Sequence, residues 1–101
     1  MDHFNKLTPS QAERLAMLAE ECGEVVQIVG KILRHGYDSH HPDDPATSNT
    51  RLLEKEIEDI LGVHLAMILS GDIRSPGVIE DTAEAAWKRK LRYAHHQKET
   101  L

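Results

Sequence analysis

The hydrophobic positions fall into three helical stretches separated by polar segments. Between Pro9 and Arg34, Leu15, Leu18, Cys22, Val25, Val29 and Ile32 recur at three- and four-residue steps, the period of one face of an α-helix. Thr8, Pro9 and Gln11 supply the start: a capping threonine, a proline at the first helical position and a glutamine that closes a capping box. Gly36 supplies the stop. Gly23 and Gly30 inside this helix each cost roughly 1 kcal/mol against Ala, so a close neighbour, a helix or a ligand, is expected beside them. Residues 37–48 hold Asp38, Ser39, Pro42, Asp43, Asp44, Pro45 and Ser48 and read as a loop, either a connector or a lid.

Asn49 or Thr50 is expected to cap a second helix that runs to about Ser70, with Gly71 ending it. Leu52, Leu53, Ile57, Ile60, Leu61, Val63, Leu65, Met67, Ile68 and Leu69 cover more than one stripe of this helix. A helix apolar on most sides is buried on most sides. A small three-helix monomer has too little surface to cover it, which predicts a homodimer or homotetramer with this helix at the interface. Ser75-Pro76 then repeats the cap-and-proline start for a third helix, from Pro76 to His96. Glu80, Asp81 and Glu84 come early in it and Lys88, Arg89, Lys90 and Arg92 late, an order that complements the helix dipole. No strand pattern, internal repeat or phosphate-cradling glycine loop interrupts this reading. The expected fold is all-α: a bundle of about three main helices per chain, one domain over residues 1–101 with a leader at 1–7, assembled with a partner chain.

Composition narrows the function. The net charge of −5 argues against binding a nucleic-acid polymer. One cysteine, Cys22, excludes an internal disulfide and reads as a packing residue. No run approaches the roughly 18 apolar residues of a membrane span, and the N-terminal residues lack an apolar signal core, so a soluble cytoplasmic protein is expected. The pairs His40-His41 and His95-His96 read as solvated surface, and His64 as a packed histidine. Trp87 and Tyr93 read as core residues or as platforms for stacking on a base. The basic run Lys88, Arg89, Lys90, Arg92 and Lys98 is either a solvated helix face or a set of phosphate contacts.

The acidic residues carry the chemistry. Glu21 and Glu24 lie three positions apart in the first helix, and so do Glu56 and Asp59 in the second. At about 100° per residue each pair shares one side of its helix. Leu52, Ile60, Val63 and Met67 all fall within roughly 40° of Glu56, so that carboxylate interrupts an apolar stripe. It needs a counter-charge there. The stripe itself offers no basic residue, and a divalent cation meets the need. Oxygen-only ligands suit Mg²⁺ or Mn²⁺.

Glu20-Glu21-Cys22-Gly23-Glu24, a loop, and then Glu56-Ile57-Glu58-Asp59 resemble the EExxE…ExxD pattern of the MazG-like all-α NTP pyrophosphohydrolases. The flanks Leu18-Ala19, Val25-Val26 and Ile60-Leu61 are similar too, and the resemblance spans roughly residues 15–70. It implies a helical dimer or dimer of dimers that hydrolyses a nucleoside triphosphate to the monophosphate and pyrophosphate, dependent on Mg²⁺. By the same resemblance Glu21, Glu24, Glu56 and Asp59 ligate the metal, and Glu20 orients or deprotonates the attacking water. Lys31, Lys88, Arg89 and Arg92 are candidate phosphate ligands; Lys88 and Arg92, four residues apart, would share a helix face. Glu58, an extra acid within the second motif, sits about 200° from Glu56 and is expected to face away. The loop shows no base-recognition residue. Two alternatives stand beside this reading: a phosphoribosyl-ATP pyrophosphatase, and a non-catalytic helical interaction module in which the acids are solvated or hold a structural cation.

Overall fold

The computed structural model describes residues 4–77 and 79–97. Among them the chain is all-helical: α1 (Pro9–His35), α2 (Asn49–Leu69) and α3 (Ile79–Leu91). An isolated antiparallel bridge joins His40 and Ser48 inside the loop.

The start of α1 follows the expected chemistry. Thr8 Oγ1 accepts from the Gln11 backbone N–H at 3.1 Å, and Gln11 Oε1 accepts from the Thr8 N–H at 2.9 Å. Pro9 follows the cap, where its missing N–H is no loss. At the other end Gly36 takes φ 87° and its N–H reaches back to Ile32 O, a conformation that favours glycine.

The cap of α2 differs from expectation. Ser48, and not Asn49 or Thr50, is the capping residue: its Oγ accepts from Arg51 N–H at 3.2 Å. Asn49 and Thr50 are instead the first helical residues, and both are tied to the preceding segment. Asn49 N–H donates to Ser39 O, Thr50 N–H donates to Tyr37 O, and the Asn49 side-chain amide donates to Gly36 O. Asn49 is 4% exposed. The base of the 37–48 loop is therefore tied to the start of α2.

The third helix is shorter than the sequence suggests. Gly77 takes φ 80°, which breaks any helix begun at Pro76, and Thr82 Oγ1 donates to Pro76 O across that turn. Beyond Leu91 the backbone continues in short turns, with Tyr93 N–H to Lys90 O and Ala94 N–H to Leu91 O. The acidic first turn and basic last turn stand as expected. Among the described residues α3 packs against neither α1 nor α2. Lys98 and residues 1–3 of the expected leader lie outside the described residues.

The core is the α1–α2 hairpin. Ile28 at 4% and Met67 at 5% are its buried apolar residues. The face of α1 that meets α2 is centred near Glu21, Val25, Ile28 and Ile32, so Leu15, Cys22 and Val29 of the expected stripe lie on its outer edge and are exposed. At the open end of the hairpin Arg14 grips Asp72 through two hydrogen bonds, at 2.5 and 2.9 Å. Two further expectations are corrected. An added Cβ at Gly23 would meet nothing within 4 Å, and one at Gly30 only the Arg34 side chain at 3.6 Å, so this chain supplies no close neighbour there. Tyr93 is exposed; Trp87 is half-buried.

Candidate metal centre

The acidic residues reach one place because the hairpin is antiparallel. α1 and α2 each turn one side toward the other, and the i, i+3 spacing puts both acids of a helix on that side. Glu21, Glu24, Glu56 and Asp59 each present a carboxylate oxygen within 4.8 Å of the others, and all four are half-buried. Opposite ligands of a Mg²⁺ octahedron stand roughly 4.2 Å apart, twice the Mg–O distance. The cluster is thus close to the size a shared divalent ion requires.

Its electrostatics point the same way. Glu21 Oε2 and Glu56 Oε2 are buried and accept no hydrogen bond. A buried oxygen without a donor is costly. The Glu21 carboxyl titrates above its ordinary 4.5, first because burial penalises the charge and then because Glu24 repels it. Glu24 is raised too, chiefly because the adjacent Glu56 carboxylate would accept a hydrogen bond from its protonated form, then by burial and by the charge of Glu56. These are signs of a group short of positive charge.

Part of that charge comes from a residue off the apolar stripe. Lys55 lies beside Glu56 on the flank of α2, and its flexible side chain brings Nζ to 3.1 Å from Asp59 Oδ2. Asp59 raises the pKa of Lys55 in return. One ammonium against four carboxylates leaves the site strongly negative. The donor set, all carboxylate oxygen with two oxygens lacking a partner, fits a hard divalent cation such as Mg²⁺ or Mn²⁺.

The remaining expected residues divide. Glu58 faces away and pairs with Arg51 at 3.0 Å. Glu20 is exposed and outside the cluster. Lys88 is held by Glu84 at 3.1 Å on a helix that does not pack on the hairpin. Arg92 lies beyond the end of α3, so the two share no helix face. Neither is brought to the acids. Lys31 lines a pocket of about 400 Å³ formed with Arg34, His35, Ser39, His40, His41, Pro42, Asn49 and Leu52. The sequence does not reveal that pocket, because its walls come from three separate segments.

No family model, curated protein or solved structure matches the chain. Among the described residues no helix is long and apolar enough to cross a membrane.

Proposed function

We propose that the protein is a divalent-metal-dependent nucleoside triphosphate pyrophosphohydrolase. The convergence of four half-buried carboxylates, two of them with orphaned oxygens, is the observation that supports this reading most strongly. Glu21, Glu24, Glu56 and Asp59 would hold Mg²⁺, with Mn²⁺ as a substitute. When bound, such ions lower the pKa of a water and neutralise charge on phosphate oxygens. The protein's part is to fix the carboxylates on two packed helices, so that the ligand set is organised before substrate arrives. Lys55 steadies Asp59 from outside the cluster. Glu20, exposed one residue before Glu21, stands where it can reach solvent and is the candidate for orienting the attacking water.

The resemblance to MazG-like enzymes supports the same reading, and so does the exposed apolar surface. Leu69 is 77% exposed, with Ile57, Leu61 and Leu65 on the same side of α2, and on α1 Val26 and Leu33 are 73% and 82% exposed. A second copy of the chain would cover these faces and the open flank at Gly23.

The test is pyrophosphate release across canonical and modified nucleoside triphosphates, with phosphoribosyl-ATP alongside. Turnover is expected for at least one triphosphate with Mg²⁺ or Mn²⁺. Glu21→Gln and Asp59→Asn are each expected to abolish it while the far-ultraviolet circular dichroism stays helical. Turnover confined to phosphoribosyl-ATP would move the substrate and keep the chemistry. No release from any compound would leave the helical interaction module.

A further inference from the structure

We infer that the pocket between the end of α1, the 37–48 loop and the start of α2 is a binding site for a phosphate-class anion, separate from the acidic cluster. Its volume of about 400 Å³ lies inside the roughly 300–1,000 Å³ range of small-molecule pockets. That leaves room for a phosphate, free or with part of a molecule that carries it. The chain has 17 acidic residues against 12 Lys and Arg, yet none of the nine lining residues is acidic. Two are the fixed cations Lys31 and Arg34, and three are histidines.

These groups are available. Among the described residues neither Lys31 nor Arg34 has an ion-pair partner, in contrast to Arg14, Arg51, Lys55 and Lys88. His41 Nδ1 faces the Asp43 backbone N–H at 3.1 Å and the Asp43 carboxylate at 3.7 Å, so Nε2 is the ring nitrogen left for an anion. Asn49, almost fully buried, spends one amide hydrogen on Gly36 O and keeps the second. The amides at the start of α2 do not take part, because loop carbonyls and the Ser48 hydroxyl already satisfy them. The site therefore rests on side chains, with a guanidinium and an ammonium suited to phosphate oxygens.

Its place follows from helix geometry. Asn49 and Leu52 stand on the Glu56 side of α2, about 10 Å and about 6 Å of helix rise before it. No residue of the acidic cluster lines the pocket. Binding here consequently stands or falls independently of the metal reading.

The experiment is calorimetric titration in the presence of a chelator, so that no divalent ion takes part. The probes are inorganic phosphate, adenosine 5′-monophosphate and adenosine 3′,5′-bisphosphate. Saturable binding of at least one probe, one per chain, is expected. It should weaken at least about tenfold in the double variant Lys31→Gln, Arg34→Gln, and persist in Glu56→Gln. Stronger binding of the nucleotides assigns the pocket to a nucleotide-borne phosphate; equal or stronger binding of inorganic phosphate assigns it to the free ion. In the wild-type chain, the same probes should shift the ring resonances of His40 and His41 in nuclear magnetic resonance spectra. Absence of saturable binding for all three probes, binding undiminished in the double variant, or unmoved histidine resonances would overturn the assignment.

Discussion

Glu21 and Glu24 are ordinary surface residue types placed where their charge costs free energy. The cost has a pH signature. Glu21 and Glu24 titrate above their ordinary 4.5 in the folded chain, so the folded state holds protons that the unfolded chain has released. Stability of the metal-free protein therefore rises as pH falls from neutrality toward 4.5 and declines as pH rises through the raised values. Asp72 has the opposite sign. The hydrogen bond from Arg14 holds its pKa below 3.8, so its contribution is complete above 3.8 and lost as pH falls through the depressed value. Thermal denaturation in chelator should show a maximum in melting temperature at mildly acidic pH. A steady fall in melting temperature from neutral pH downward would contradict it. Saturating Mg²⁺ should raise the melting temperature most at neutral pH, where protons compete least for the carboxylates.

Helix ends show what can be read along the chain and what cannot. The Thr8–Gln11 box involves residues three apart, so its partners are visible in the sequence. Thr8→Ala removes an accepting oxygen and should cost about 1 kcal/mol, measured by urea denaturation at neutral pH. The acidic pairs were legible for the same reason, since i, i+3 spacing alone puts them on one side of a helix. The start of α2 was not. Choosing Ser48 over Asn49 requires knowing that Gly36, Tyr37 and Ser39 return to meet Asn49 and Thr50, a contact between segments about a dozen residues apart. Lys55 was missed because a long side chain reaches around the helix, so angular position alone misjudged what it touches. The start of α3 was misplaced because Ser-Pro can open a helix or a turn, and Gly77 decides for the turn.

At the scale of the molecule, two packed helices leave much apolar surface uncovered. The radius of gyration is 17.2 Å, against about 13 Å for a compact chain of this length. The sequence already showed α2 apolar on most sides; the structure locates the uncovered part at Ile57, Leu61, Leu65 and Leu69. Sedimentation equilibrium should find a dimer or tetramer. Leu61→Lys with Leu65→Lys, on the outer face and away from the acids, should shift the species toward the single chain. A wild-type monomer at all concentrations would contradict the assembly. Among the described residues Lys88 and Arg92 meet no acid of the cluster within one chain, so a phosphate contact from either would come across such an assembly.

The central claim is that four carboxylates from two helices form one divalent-ion site that grips a triphosphate. Calorimetric titration with a non-hydrolysable nucleoside triphosphate, with and without Mg²⁺, on the wild type and on Glu21→Gln with Glu56→Gln, addresses it most directly. Mg²⁺ should strengthen nucleotide binding in the wild type, and the double substitution should erase that gain while the helical content persists. Equal strengthening by Mg²⁺ in both proteins, or none in the wild type, would contradict the account.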